Sequence, residues 1–240
     1  MAPAGYGDKV EGTHAVLAAA RAGRVVSVYV ERARLNGLSE VLSAAADAKV
    51  SLVDDVMSMA TTDSPQGVVA HCRPIAPVTL ERMRQSTDAI LVLDHIEDPH
   101  NLGAMARSAL AAGVGGLVVS SRRQAPLSAA AFKAASGALE SIPVAVVGSI
   151  PSALERLKAL GCWIVGLEAG AEQTLFGLQL LTEPVAVVIG AEGAGLAQLT
   201  RKRCDVVVSI PMDSRAESLN ASVSAALASF EIMRVRSTRY

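Results

Sequence analysis

Val187-Val-Ile-Gly-Ala-Glu-Gly-Ala-Gly-Leu196 carries an uncharged, β-branched run into a loop of three glycines and then into a helix-like segment, Leu196–Arg203. A strand of Val and Ile without polar alternation reads as buried on both faces, the pattern of a parallel sheet covered by helices. Glycines let a loop adopt positive φ or bring main chain close to a ligand. Here the order is G-x-x-G-x-G, and it falls late in the chain. It therefore differs from the G-x-G-x-x-G fingerprint that opens a dinucleotide-binding fold, and a nicotinamide-dependent enzyme fits poorly. Taken alone, the loop serves equally well as a plain strand-to-helix turn.

Strand-length apolar runs recur on either side of it: Ala89–Leu93, Gly116–Val119, Val144–Val147, Trp163–Val165, Val185–Ile189 and Val206–Ile210. Helix-like segments fall between most of them, at Leu102–Ala112, Ser128–Leu139, Ala153–Leu160 and Leu196–Arg203, and Leu219–Val235 closes the series. This alternation predicts an α/β region with a mostly parallel sheet, whose ligands bind beyond the carboxyl ends of the strands. Further upstream a helix over His14–Ala22, a strand over Val25–Val30, a helix over Leu38–Ala48 and strands at Val50–Val53 and Gly67–Cys72 predict a small α/β unit. Arg73-Pro-Ile-Ala-Pro77 suits neither helix nor central strand. The expected organisation is a first domain over 1–72, a linker over 73–86 with a short helix near Val78–Gln85, and a second domain over 87–240.

The 240 residues carry 22 basic and 23 acidic side chains, a formal net charge of −1. A chain held to nucleic acid by phosphate neutralisation usually has a clear basic excess, so overall charge argues against RNA binding unless the charges are segregated. Arg21, Arg24, Arg32 and Arg34 do lie close together, and Arg201, Lys202 and Arg203 form a run. The three cysteines, Cys72, Cys162 and Cys204, are far apart, odd in number and lack C-x-x-C spacing, which argues against a disulfide framework or zinc ribbon and fits a reducing cytoplasm. The start, MAPAGYGDKVEG, has no basic-then-apolar signal, and the longest uncharged apolar stretch, Ala109 to Val119, is about 11 residues, too short for a bilayer.

Unusual polar residues gather at three strand ends. Leu93-Asp-His-Ile-Glu-Asp-Pro-His-Asn-Leu-Gly-Ala-Met-Ala-Arg107 turns at Pro99 into a helix, with Asn101 as the expected N-cap and Arg107 about one and a half turns on. There an anion would meet both the guanidinium and free backbone N–H groups, whereas an Arg snorkelling from a half-buried helix is the simpler reading. The glycine loop is the second segment. Ile210-Pro-Met-Asp-Ser-Arg-Ala-Glu-Ser-Leu-Asn-Ala-Ser222 is the third, with Ser218 or Asn220 starting the last helix. His95 and His100 with Asp94 and Asp98 have no recurring ligand spacing, so no metal is expected.

In this order and spacing, D-P-H-N-L-G…R-S-A, V-I-G-A-E-G-x-G-L and S-I-P-M…S-L-N-A-S resemble the three motifs of the SpoU (TrmH) branch of SPOUT methyltransferases, over nearly all of 89–236. Glu11-Gly-Thr-His-Ala-Val16 and Gln66-Gly-Val-Val-Ala70 resemble the signatures that bracket its L30e-like substrate-binding domain, and the chain looks closest to the subgroup that methylates a guanosine of 23S rRNA. Pro65, Leu167 and Ala221 depart from the pattern, but none is a polar residue of the three motifs. The resemblance implies a C-terminal α/β trefoil knot binding S-adenosylmethionine (AdoMet) on Gly190, Ile210 and Leu219, with Gly166, Gly193, Met212 and Ser218 nearby. It implies homodimerisation through the knotted domain. It gives catalytic positions to Arg107, Asn101, Glu192 and Asn220, and RNA-facing ones to Arg21, Arg24, Arg32, Arg34 and His14. A tRNA ribose, an antibiotic-resistance site in rRNA, or a non-catalytic role in ribosome assembly are the alternatives it leaves.

Overall fold

Ala89–Leu93 (β5) and Val185–Ile189 (β10) are buried at every residue and lie side by side in parallel at the middle of the molecule. Successive side chains of a strand point to opposite faces, so β5 feeds two cores. Leu91 and Leu93 join one cluster, while Ile90 and Val92 join another with Ala186 and Val188. Around this pair run β6 (Leu117–Ser120), β7 (Val144–Val147), β8 (Trp163–Leu167), β11 (Val206–Ser209) and the two-residue β9 (Gln173–Thr174). The strand order is β7-β6-β5-β10-β8-β11-β9, every pairing parallel. Helices cover both faces, as a parallel sheet requires. α3 (Leu80–Ser86) and α7 (Ile150–Ala159) pack on the Ile90 side; α4 (Pro99–Ala111), α5 (Ala129–Ala135), α6 (Ala138–Ser141) and α9 (Ala221–Ser237) pack on the Leu91 side. α8 (Gln198–Arg203) precedes β11. This computed structural model describes residues 5–122, 124–193, 195–216 and 218–237.

The N-terminal part is a separate four-stranded mixed sheet in the order β1-β4-β2-β3, formed by Lys9–Glu11 (β1), Val25–Glu31 (β2), Lys49–Val53 (β3) and Val68–Cys72 (β4). α1 (Thr13–Arg21) and the short α2 (Ser39–Ala44) close its inner face over Val28 and Val30. The core does not stop at the seam between the sheets. Val10, Val16, Phe132, Leu102 and Leu91 belong to one continuous cluster.

Several expectations change in detail. Of the helix expected over Leu38–Ala48 only Ser39–Ala44 is α-helical, and a 3-10 turn over Arg32–Leu38 precedes it. The single helix expected over Ser128–Leu139 is broken, because Ser136 and Gly137 both take left-handed backbone. Asn101 is not an N-cap. The helix starts earlier, at Pro99, and the Asp98 carboxylate accepts from His100 N at 2.8 Å, which leaves Asn101 inside the first turn. β1 and β9 have no length for a periodicity to show. β1 is set by its neighbour in space: Lys9, Val10 and Glu11 pair with His71, Ala70 and Val69.

Candidate active site

Beyond Ile189 the chain must fold back on itself, and glycine makes this feasible. The loop closes with Gly195 N donating to Ala191 O at 3.0 Å. Gly193 and Gly195 have φ of 74° and 65°. A Cβ on Gly190 would sit 2.7 Å from Leu196 N and closer still to the Gly195 carbonyl. With that approach allowed, the ends of β8, β10 and β11 enclose a cavity of about 320 Å³. Its walls include Gly190, Gly193, Ile210, Met212, Ser218 and Leu219, six of the seven residues expected to hold a cofactor. Gly166 is the exception: it lies beneath the cavity, where a Cβ would meet Cys204 Sγ at 2.7 Å and Leu196 Cδ1 at 2.8 Å, so it packs and does not line. Burial pushes the Cys204 thiol up to about 11, so the group under this floor is neutral. Glu168 and Ala169 also line the cavity and were not singled out; the Glu168 carboxylate accepts from Arg201 Nε at 2.6 Å. Their place directly after a strand end was the available signal.

A second recess of about 510 Å³ adjoins the cavity and shares Ala191, Glu192, Gly195 and Ala221 with it. His95, Asp98 and Asn101 supply its other side. Asn220 organises the boundary. Its Oδ1 accepts from Ser222 N at 2.8 Å and Ser222 Oγ at 2.6 Å, which caps α9, while its Nδ2 donates to Glu192 Oε2 at 3.3 Å. Asp94, fully buried, accepts from Ala197 N at 3.0 Å and lies 2.7 Å from His95 Nδ1. It ties the end of β5 to the segment after the glycine loop, a role hidden in the sequence because its partners lie one and 103 residues away.

Asn101, Glu192 and Asn220 are thus brought together. Arg107 is not among the residues lining either space; it stands exposed on α4 and donates to Ser136 Oγ at 3.3 Å. His14 and Arg21 line a different hollow, of about 430 Å³, against Ser136 and Glu140. Arg21 pairs with Glu40, and Arg32 lies 3.3 Å from Asp54 and Arg34 3.9 Å from Glu31; all three arginines remain exposed. Arg24 differs from these three. Its side chain is only 12% exposed, forks onto Glu140 at 2.5 and 2.7 Å, donates to Gly7 O at 2.9 Å and to Arg73 O, and lies 5.9 Å from the Phe132 centroid. Its three nitrogens all have partners inside the protein, so it fastens the two sheets together.

Residues 88–230 match the family model of the SpoU rRNA Methylase family, and residues 9–78 match that for RNA 2'-O ribose methyltransferase substrate binding. The chain is 44% identical over 190 residues to the 23S rRNA (guanosine-2'-O-)-methyltransferase RlmB of Nitrosomonas europaea, covering 78% of this chain and 73% of that protein. It is 39% identical over 242 residues to the RlmB of Yersinia pestis, covering 95% and 97%. The SpoU methyltransferase AviRb from Streptomyces viridochromogenes, in complex with AdoMet, superposes with a TM-score of 0.82 at 27% identity, over 96% of this chain and 90% of that one.

Proposed function

The chain belongs to the SpoU rRNA methylase family and is an AdoMet-dependent RNA 2'-O-ribose methyltransferase; we infer that its acceptor is a guanosine ribose of 23S rRNA. The acceptor is supported by the RlmB relatives, and the observation that carries the methyl-transfer reading is the pair of adjoining spaces at the carboxyl ends of the strands. The glycine loop with Ile210, Met212 and Leu219 lines one, Asn101 with Asp98 and His95 lines the other, and Glu192 stands in the wall of both.

The first space fits AdoMet. Gly190 must lack a Cβ, so main-chain groups are within reach of a purine edge, and Ile210, Met212 and Leu219 offer apolar contact. Bound there, AdoMet supplies an electrophilic sulfonium methyl. The protein's task is to hold the ribose O2' in line and stabilise the charge it develops, and positioning supplies much of the acceleration. Glu192, steadied by Asn220 at the wall between the spaces, orients the ribose. Asn101 faces the same recess from α4. The guanidinium of Arg107 is exposed on α4, which suits a grip on the neighbouring RNA phosphate from outside the recess.

Further parts of the reading follow from the family. The chain crossing at the cavity is a trefoil knot. The enzyme is a homodimer, supported by Val223, Phe230 and Met233 of α9, each 42–45% exposed. Its location is the cytoplasm, supported by three free cysteines. Arg21, Arg32 and Arg34, with His14, guide the RNA over the smaller sheet.

The test is transfer of tritiated methyl to 23S rRNA from a strain lacking the endogenous activity, with Arg107→Ala in parallel. Label at one guanosine ribose, lost about a hundredfold or more in the variant, is expected if its contact forms in the transition state. Label confined to tRNA would overturn the acceptor. No transfer to any RNA, with AdoMet still bound, would overturn the catalytic reading.

A further inference from the structure

α5 ends at Ala135, and the residue after it, Ser136, has φ 48° and ψ 41°. Glycine usually fills this left-handed position at a helix end, because a Cβ is strained there. Gly137 is left-handed as well, with φ 94°, and there a Cβ would lie 2.7 Å from the Ala18 Cβ of α1. The turn against α1 therefore explains glycine at 137. It does not explain a side chain at 136.

The hydroxyl has a partner. Ser136 Oγ accepts from Arg107 Nη1 at 3.3 Å. Close helix packing makes the contact feasible. A Cβ on Gly103, one turn before Arg107, would be 2.6 Å from the Ala134 Cβ, so the absence of that Cβ lets α4 run tightly against α5 and brings the end of α5 alongside Arg107. Strained non-glycine backbone persists where surrounding structure holds it and concentrates at functional sites.

We propose that Ser136 is a positioning residue for Arg107, kept in an unfavourable conformation so that its hydroxyl can hold the guanidinium. Arg107 offers five N–H donors in a planar fork. Fixing one of them on a short, strained side chain sets the plane of the fork and leaves the others to meet an RNA phosphate. The proposal rests on Arg107 acting in methyl transfer.

Four full-length variants test it: Ser136→Gly, Ser136→Asn, Arg107→Ala and the double variant Ser136→Gly/Arg107→Ala. Ser136→Gly relieves the strained backbone, so its melting temperature should equal or exceed that of the wild type. Its kcat should fall about tenfold, the scale of one hydrogen bond to a charged group, with KM for AdoMet unchanged. Asn tolerates left-handed backbone and carries an acceptor, so Ser136→Asn should recover part of the loss. In the Arg107→Ala background Ser136→Gly should cost nothing further. Full activity of Ser136→Gly, or an equal loss in both backgrounds, would overturn the proposal while leaving the catalytic reading intact. Full activity of Arg107→Ala would overturn the premise itself and the proposal with it.

Discussion

Gly190 and Arg24 each stand where two stretches of chain meet, one just beyond a central strand of the large sheet and the other at the seam with the small one. At Gly190 the meeting requires the absence of a side chain: main chain packs on main chain, beside the cavity proposed to hold AdoMet. At Arg24 the meeting is made by a side chain, a guanidinium that gathers a carboxylate and two carbonyls from three other segments. A binding surface built of backbone tolerates almost no added volume. A seam built of one charged group tolerates reshaping around it but not the loss of a partner, because a nearly buried charge would be left unpaired. These two kinds of construction fail differently, and substitutions can separate them.

The largest effect is expected at Gly190. Gly190→Ala places a methyl inside the contact distance of Gly195 O and Leu196 N, both backbone atoms that cannot swing away. We expect AdoMet binding to be lost by calorimetry, with destabilisation of about 3 kcal/mol, the upper part of the overpacking range. Near-normal AdoMet affinity in this variant would mean the loop can open, and the contrast with Arg24 would collapse.

Arg24→Ala should instead leave AdoMet binding close to normal and lower unfolding stability by about 2–4 kcal/mol, since Glu140, whose side chain is 4% exposed, loses its partner. Arg24→Met, which keeps the stem over Phe132, combined with Glu140→Gln should recover part of that loss. If Arg24→Ala cut rRNA affinity without touching stability, the guanidinium would be an RNA contact after all. Urea unfolding and filter binding on the same preparations distinguish the outcomes.

The same division does not govern what could be read from the sequence. β5, β7 and β10 were bounded to the residue, because uninterrupted Val, Ile and Leu runs flanked by turns have one physical reading in a two-faced sheet. Residues at the cavity were singled out through the resemblance of three segments to the SpoU motifs; read alone, the glycine loop served equally well as a plain turn, because the close approach of Gly190 to Gly195 and the hold of Asn220 on Glu192 are tertiary. Arg24 left no local trace either, since its partners at Glu140, Gly7 and Arg73 are set by tertiary packing. In sequence it was indistinguishable from Arg21 and Arg32, which stay exposed. Asn101 was misassigned as a cap because Asp98-Pro99 starts the helix earlier, a proline at the first helical position being compatible with the N-terminus. Nor could the pairing of Arg107 with Ser136 be seen, since it depends on how closely α4 and α5 approach.

Glu11 gives the smallest and most selective test, confined to the side-chain-built region. Its carboxylate is fully buried in β1 and accepts from the backbone N–H and hydroxyl of both Thr61 and Thr62 at 2.6–3.0 Å. Burial alone pushes such a carboxyl up, but these four hydrogen bonds outweigh it and hold the group below its ordinary 4.5. A carboxylate whose folded pKa is depressed contributes stability that is complete above the unfolded value. That contribution fades as pH falls through 4.5 toward the folded pKa. Glu11→Gln should therefore cost about 1–2 kcal/mol at pH 7, the scale of weakened hydrogen bonds to a charge, and the gap to the wild type should narrow as the pH drops toward 3. Hydrogen exchange should locate the loss first in β1 and β4, with the amides of β5 and β10 little affected, because the large sheet has no share in these bonds. A gap that stays constant with pH would mean Glu11 acts by its shape rather than its charge. A loss spread equally over both sheets would show that the continuous core couples them more strongly than their different construction separates them.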